Sequence, residues 1–249
     1  MIKTNILASS SEGNCTHVST DKASIIIDAG LSAKKVFELS GENEFDAIFI
    51  SHEHGDHVKG LGPLGRKTGA TIYVHELVYD KLESKLNDCE VKLWMPGEEI
   101  AIGDLKINNF STRHDSVYSY GFTVAQEGGK KLGYLTDTGS WTKLMGNHLK
   151  GCDGYIIEAD YDHDTLMNYD DYDEYLRERI SSNWGHLSND QTMELLEYLS
   201  PAAPDFIVFA HLSPRTNTHK LVLDAAKKKF PTWDEAVFDI APTGRILEL

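Results

Sequence analysis

The sequence predicts an α/β protein in which two mixed β-sheets lie face to face with helices on the outside, an αββα sandwich. Three observations support this fold class: short apolar runs of strand length recur along the chain, glycine-containing turns separate some of them, and amphipathic helical patterns lie in the gaps. Other α/β layouts share this alternation. The choice among them comes from the histidine-rich motifs described below.

The strand predictions depend on short apolar runs bounded by turn residues. Gly103-Asp104 and Gly128-Gly129 each lie between two consecutive runs and therefore predict hairpin turns. The predicted strands cover residues 2–8, 24–28, 47–51, 71–74, 91–94, 99–102, 105–107, 121–125, 131–136 and 206–210.

The helix predictions depend on apolar residues that recur with helical spacing. For the helix that begins near residue 189, Asn189 is the expected N-cap and Asp190 is a favourable acid in the first turn. The predicted helices cover residues 32–39, 58–67, 76–86, 189–199 and 218–229.

Composition limits the class of protein. The 249 residues carry 24 Lys and Arg against 39 Asp and Glu, a net charge of −15, and 41% of them are hydrophobic. This length, without a Pro- or Gly-rich linker, predicts one domain over residues 1–249 with a sizeable core. The acidic balance argues against a large nucleic-acid-binding surface, because phosphate contacts need a basic patch.

The same composition predicts a cytoplasmic protein that does not enter a membrane. No apolar run approaches the ~18 residues of a membrane-spanning helix, and the first residues have the pattern of a strand rather than of a signal peptide. The three cysteines, Cys15, Cys89 and Cys152, are scattered and odd in number, which excludes a disulfide scaffold and suits a reducing compartment.

The strongest chemical signal is a cluster of three histidines and one aspartate directly after an apolar strand. A strand end is a rigid support from which side chains converge, and imidazole and carboxylate at this density suit zinc, manganese or iron better than calcium or magnesium. The cluster therefore predicts a metal site, with one pair of residues on a first ion and the next pair on a second. The four residues are His52, His54, Asp56 and His57.

The motif His52-x-His54-x-Asp56-His57 resembles the signature of the metallo-β-lactamase superfamily, and the resemblance extends along nearly the whole chain. It is closest to the YycJ/WalJ-like branch, with tRNase Z and phage cyclic-nucleotide phosphodiesterases as wider relatives. The segments that carry the branch resemblance are residues 6–14, 28–32, 57–61, 185–189 and 210–213. The resemblance implies the metallo-β-lactamase type of αββα sandwich.

The resemblance also implies a ligand set for two divalent metal ions, zinc first and manganese as the alternative. His114 would join His52 and His54 on the first ion, and His211 would join Asp56 and His57 on the second. Asp137 would bridge the two ions. Asp56 counts in addition as a catalytic residue.

Three further residues have expected roles around the metals. Asp28 follows three apolar isoleucines, and the resemblance suggests that it accepts a hydrogen bond from a ligand histidine and fixes its tautomer. His186 resembles the tRNase Z histidine that stabilises or protonates the leaving oxygen without binding metal, which makes it a candidate general acid. Arg215 is a candidate clamp for a phosphate group.

Two ions held close together suit hydrolysis, because they activate water and neutralise charge on the attacked group. A bridging aspartate at Asp137 favours a phosphodiester substrate over the neutral acyl substrates of true β-lactamases. The main interpretation is therefore a dinuclear-metal phosphodiesterase that acts on a nucleotide. The alternatives are a YycJ-like DNA or RNA exonuclease, a thiolester hydrolase of the glyoxalase II type, and a regulatory binding protein with a degenerate site.

The acidic segment 158–178 favours a small cyclic nucleotide over polymeric nucleic acid. It leads toward His186 and holds nine acidic residues, so that it would repel a polyanion if it bordered the cleft. The same region holds five tyrosines, the last three with the spacing of one helix face: Tyr155, Tyr161, Tyr169, Tyr172 and Tyr175. These rings could stack on a base or pack in a homodimer interface, and we favour the interface.

Overall fold

The computed structural model describes residues 1–199, 202–242 and 244–249, which form two seven-stranded sheets. The strands of the first half are β1 (Lys3–Ser10), β2 (Gly13–Ser19), β3 (Ser24–Ile27), β4 (Ala47–Phe49), β5 (Thr71–Val74) and β6 (Val91–Leu93). Those that follow are β7 (Glu99–Ile102), β8 (Leu105–Ser111), β9 (Tyr120–Gln126), β10 (Lys131–Leu135), β11 (Gly154–Glu158), β12 (Phe206–Ala210), β13 (Phe238–Ile240) and β14 (Leu247–Glu248).

Both sheets are mixed. The first has the order β14-β1-β2-β3-β4-β5-β6, antiparallel from β14 to β3 and parallel from β3 to β6. The second has the order β13-β12-β11-β10-β9-β8-β7, parallel from β13 to β10 and antiparallel from β10 to β7. Each sheet therefore has a parallel part whose carboxyl ends meet at one edge, where ligand sites usually form.

The sheets pack face to face and helices cover their outer faces, which confirms the predicted αββα sandwich. Ile25 and Phe49 of the first sheet share one buried cluster with Phe122 and Val208 of the second. Ile26, the residue after Ile25 on β3, points to the opposite face of the sheet, into the apolar cluster beneath the helices. The helices are α1 (Ala33–Ser40), α2 (Gly55–Val58), α3 (Leu61–Thr68), α4 (Glu76–Leu82), α5 (Lys143–Leu149), α6 (His163–Met167), α7 (Glu174–Ser181), α8 (Asn189–Leu199) and α9 (His219–Lys229).

Several predicted element boundaries are corrected by local geometry. The predicted helix 58–67 is broken between α2 and α3 at Gly60, where an added Cβ would lie 1.7 Å from the carbonyl oxygen of Leu31. The predicted helix 76–86 ends at Leu82 and continues as a short 3₁₀ turn. The 103–104 hairpin is confirmed, because Ile102 pairs with Leu105.

The N-cap prediction at Asn189 is wrong. Ser188 caps α8 instead: its Oγ accepts from the Gln191 amide at 3.2 Å, and the Gln191 side chain accepts from the Ser188 amide at 2.9 Å. This reciprocal pair is a capping box. Asn189 turns inward and exchanges two side-chain hydrogen bonds with Asn217, at 2.8 and 3.1 Å.

The tyrosines of the acidic region do not share one helix face. Tyr155 and Tyr161 are buried in the core. Tyr169 and Tyr172 lie in the connection between α6 and α7, and Tyr175 lies on α7 with 76% of its surface exposed. The homodimer stays a prediction. No helix in the described part of the chain has the length and apolar character needed to cross a membrane.

Candidate metal centre

The predicted metal ligands come from loops at the carboxyl ends of strands, and the structure brings them to one edge of the sandwich. The loop after β4 and helix α2 carry the first four of them. The loops after β8, β10 and β12 add one ligand each. The seven residues are His52, His54, Asp56, His57, His114, Asp137 and His211, and none of them lies apart from the others.

The first predicted set, His52, His54 and His114, forms a compact triangle. One ligand atom from each of the three rings lies within 4.8 Å of the others. Nε2 of His114 is 3.2 Å from Nδ1 of His54, and the ring centroids of His52 and His114 are 5.0 Å apart. Three imidazoles at this separation can hold one divalent ion.

The second predicted set, Asp56, His57 and His211, also comes together within 4.8 Å. Oδ2 of Asp56 is 3.3 Å from Nε2 of His57 and 3.8 Å from Nε2 of His211. Asn14, from β2, lies between these groups: its amide nitrogen donates to Oδ2 of Asp56 at 3.0 Å and is 2.9 Å from Nε2 of His57.

Asp137 lies between the two sets. Its Oδ2 is 3.3 Å from Nε2 of His57, and its Oδ1 is 3.5 Å from Nε2 of His211 and 3.8 Å from Nε2 of His114. The carboxylate thus faces donors of both sets at once. This is the position that a bridging ligand requires.

Asp28 and Ser51 orient the histidine rings from behind. Asp28 accepts from Nδ1 of His57 at 2.7 Å and from the amide of Ser51 at 2.8 Å. The Ser51 hydroxyl is 3.0 Å from Nδ1 of His52. With Nδ1 occupied in this way, Nε2 of each ring is directed at the site, which is how hydrogen bonds fix the tautomer of a metal-binding histidine.

Three residues of the site have left-handed backbone conformations, although none of them is glycine. The φ angles of Asp28, Asp137 and His211 are 60°, 55° and 55°. Such a conformation costs about 1–2 kcal/mol in a residue with a side chain. It persists where the surrounding structure imposes it, and such residues are concentrated at functional sites.

His186 lies beside the metal ligands and is held by Glu158 at the end of β11. Nδ1 of His186 is 2.6 Å from Oε1 of Glu158, while the other oxygen of Glu158 accepts from the Thr138 amide at 2.9 Å. Burial disfavours the imidazolium, but the carboxylates of Glu158 and Asp160 outweigh it and raise the pKa of His186 to about 9. Burial raises the pKa of Glu158.

The polar atoms of the site fit metal binding. In the part of the chain that the structure describes, Nε2 of His52, Oδ2 of Asp137 and Nε2 of His211 are buried without a hydrogen-bond partner. A buried unpaired polar atom is costly, so such a group of them indicates a ligand. Burial also lowers the pKa of His52 well below its ordinary value and that of His114 to about 4, which favours the neutral imidazole that binds metal.

Arg215 is less integrated than the other predicted residues. Its side chain is exposed, and among the described residues the backbone amide of Arg215 donates to the Ser213 hydroxyl at 3.4 Å. Three further residues of the site were not predicted from the sequence: Glu158, Asn14 and Asp115, whose Oδ1 is 3.4 Å from Nε2 of His114. The position of Asp115 next to a predicted ligand was the available signal.

An αββα sandwich with clustered His and Asp side chains at the strand ends defines a metal-dependent hydrolase with a site suited to two metal ions. The sequence model described as the Beta-lactamase superfamily domain matches residues 24–211, and the chain belongs to this superfamily. This confirms the resemblance on which the fold prediction depends.

Two curated relatives and one solved structure illustrate the similarity. The exodeoxyribonuclease WalJ of Streptococcus pneumoniae is 34% identical over 229 residues, which are 88% of this chain and 84% of the relative. The exodeoxyribonuclease YycJ of Bacillus anthracis is 29% identical over 225 residues, 87% and 84% of the two chains. The metallo-β-lactamase fold protein YhfI from Bacillus subtilis has a TM-score of 0.78 at 19% identity and 100% coverage of both chains.

The relatives support a nuclease-like hydrolase, which agrees with the coarser part of the functional prediction. They do not show the preference for a small cyclic nucleotide. The names of the relatives favour the exonuclease alternative over that main interpretation. The degenerate regulatory site is disfavoured, because every predicted ligand is present and in place.

Proposed function

We propose that this chain is a dinuclear-metal phosphodiesterase that removes nucleotides from DNA ends. The observation that carries the proposal is the 34% identity to an exodeoxyribonuclease over 88% of this chain, in a protein whose seven-residue donor set is complete. The substrate class of the relative extends to this chain only as part of this proposal.

His52, His54 and His114 would hold the first ion, and Asp56, His57 and His211 the second, with the Asp137 carboxylate facing both sets of donors. Zinc is the first choice, because imidazole and carboxylate are its common ligands, and manganese is the alternative. Bound metal would supply an activated water and would neutralise charge on the phosphodiester.

His186 acts on the leaving oxygen. Glu158 accepts from Nδ1 of its ring and so leaves Nε2 for the substrate. The His186 side chain retains 21% exposure, in contrast to fully buried Glu158, so the ring can be reached from the cleft. As water adds to phosphorus and the P–O bond to the sugar breaks, donation of the Nε2 proton to the departing sugar alkoxide would return a neutral imidazole.

The positions of the acidic residues weaken the case for a small substrate. Glu158 and Asp160 are buried against site histidines. Asp162 and Asp173 are N-caps, which accept from the amides of Thr165 and Leu176 at 2.9 and 2.8 Å. These four carboxylates have structural partners, and repulsion of a DNA strand would come from the exposed remainder of segment 158–178.

A substrate panel tests the proposal. The zinc- or manganese-loaded protein is incubated with linear single-stranded DNA, the same DNA as a closed circle, cyclic mononucleotides, cyclic dinucleotides, pre-tRNA and S-lactoylglutathione. We expect mononucleotide release from the linear strand and none from the circle, because an exonuclease needs an end. The Asp137→Asn variant, whose side chain is a weaker metal ligand of nearly the same shape, is the matched control.

Two results would contradict the proposal. Turnover of cyclic nucleotides with intact linear DNA would restore the small-substrate interpretation. Turnover of S-lactoylglutathione without phosphodiester cleavage would assign the chain to the thiolester hydrolases.

A further inference from the structure

Trp184 is a large exposed aromatic residue in the turn that leads to His186 and contacts the metal centre through Gly185. It has 56% of its surface exposed, whereas Trp94 is fully buried. The carbonyl of the next residue, Gly185, accepts a hydrogen bond from Nδ1 of His114 at 3.0 Å, and His186 follows Gly185. Among the residues that the structure describes, no aromatic ring packs against Trp184. A large apolar side chain in such a position is informative, because folding alone does not require its exposure.

The segment that carries Trp184 is held rigidly. The amide of Trp184 donates to the Ser182 hydroxyl at 3.2 Å, and the amide of His186 donates to the Ile180 carbonyl at 2.9 Å. An added Cβ on Gly139, in the loop after Asp137, would lie 2.3 Å from the amide nitrogen of Gly185. The backbone of Trp184 therefore belongs to a fixed turn packed against the Asp137 loop, and a binding residue whose backbone is ordered in advance loses less entropy on binding.

An arginine lies on each side of this turn, and one of the two is paired with a carboxylate. The exposed Arg113 side chain donates to the Ser140 hydroxyl at 3.4 Å, and that hydroxyl donates to the carbonyl of Asn183 at 3.1 Å. On the other side, Arg179 pairs with Asp115 at 2.6 Å, next to His114. The turn that carries Trp184 therefore has the Arg113 guanidinium on one side and the Arg179–Asp115 ion pair on the other, although the whole chain is acidic.

We propose that Trp184 stacks on an unpaired nucleobase of the DNA strand whose terminal phosphodiester is cleaved at the metal centre. The inference rests on the proposed function and names the substrate feature that this cleft recognises. An aromatic ring beside cations is the usual arrangement for binding a single strand, and stacking tolerates any base because every base has a π-face. A single-stranded end is therefore the substrate form that the cleft wall favours.

Binding tests this role without turnover. Fluorescence anisotropy measures the affinity for a labelled single-stranded DNA 12-mer whose phosphorothioate linkages resist cleavage. The proteins compared are the wild type, Trp184→Ala, Trp184→Phe and Ile246→Ala. Ile246 is the control, because it is an apolar residue with a similar exposure, 55%. It directly precedes β14, which pairs with the start of β1 at Thr4, whereas the other end of β1, at Ser10, is the end nearer the metal centre.

We expect Trp184→Ala to weaken binding within the range of about 5- to 150-fold that corresponds to loss of one stacked base. Trp184→Phe should retain most of the affinity, and Ile246→Ala should bind like the wild type. Equal affinity of Trp184→Ala and the wild type would overturn the inference, and so would the absence of oligonucleotide binding by the wild type.

Kinetics separates this inference from the proposed function. Thymidine 5′-(4-nitrophenyl phosphate) carries a base, and methyl 4-nitrophenyl phosphate does not. Trp184→Ala should raise KM at least fivefold for the first substrate only, with kcat unchanged for both.

An equal change in KM for both substrates would reject stacking and leave phosphodiester hydrolysis as proposed. If Trp184→Ala weakens oligonucleotide binding but the wild type hydrolyses neither substrate, the proposed function alone would be rejected.

Discussion

His186 and Glu158 are joined by a 2.6 Å contact between Nδ1 and Oε1, and Glu158 has no exposed surface. The carboxylate fixes the direction of the ring, because its second oxygen is itself held by the Thr138 amide. His186 consequently has one nitrogen occupied and the other free for a substrate. The pair also lies close enough to Asp137 and His211 for the four residues to hold a metal ion. We assign it to proton donation, because the contact with Glu158 occupies Nδ1 of His186 and leaves Nε2 for the substrate.

His186→Ala is expected to keep two metals per chain and to lose roughly 10²–10⁴ in kcat on DNA, because it removes a general acid. Glu158→Gln should lose less, since it keeps the acid and removes only the carboxylate that orients the ring and raises the pKa of His186. Both losses should shrink with 4-nitrophenolate as the leaving group, which needs no proton. Metal content and kcat for the two substrates are the measurements, and Glu178→Gln, an exposed acid on α7, is the control. Loss of a metal from His186→Ala would make this residue a ligand.

The double variant His52→Ala, His54→Ala is expected to lose bound metal and hydrolysis while keeping the sandwich. Both residues lie on the loop after β4, outside the three apolar clusters of the core. Elemental analysis and far-UV circular dichroism measure the two effects, with the exposed His163→Ala as control. Full activity of the double variant would show that the metal centre is elsewhere.

Asp28→Asn is expected to weaken metal affinity about 10- to 100-fold, because partners behind the ligands tune their basicity and orientation. The amide can still occupy the space between His57 and Ser51, so the fold should persist. Competition with a chromophoric zinc chelator measures the affinity. Unchanged affinity would show that Asp28 does no more than shape the turn after β3.

The metal ligands could be predicted because each follows an apolar run and belongs to a recognisable motif. Glu158 could not, because its partner is 28 residues away in sequence and its carboxylate was counted with an acidic segment. Its burial depends on β11, a short strand between β10 and β12 that the hydrophobic pattern did not reveal. Asn14 was missed for a similar reason: its contact with Asp56 joins residues 42 positions apart.

The stability of the fold is expected to fall between pH 7 and pH 5 through His17. Burial lowers the pKa of His17 from 6.5 to about 4, so the unfolded chain binds more protons in this window and stability rises with pH across it. The contribution lost on going from pH 7 to pH 5 is about 2 kcal/mol. Urea denaturation with chelator present measures it: His17→Gln should make the pH dependence shallower than that of the wild type, and the exposed His163→Gln should not. Parallel profiles for His17→Gln and the wild type would contradict the assignment.

The exposed acids between α6 and α7 are expected to oppose DNA more than a small substrate. Asp170 and Asp171 lie outside the caps of both helices, so Asp170→Lys with Asp171→Lys changes charge without removing the Asp173 cap. The control is Glu42→Lys with Glu44→Lys, an equal charge change on the exposed stretch after α1.

If segment 158–178 borders the path of the strand, the first variant should lower KM for single-stranded DNA and leave the value for thymidine 5′-(4-nitrophenyl phosphate) unchanged. This decrease in KM should become smaller as salt shortens the Debye length from ~10 Å at 0.1 M to ~3 Å at 1 M. Because charges act only over this short range, the control variant should lower KM for DNA less. Equal gains for the two variants would mean that net charge, rather than this segment, governs the approach of DNA.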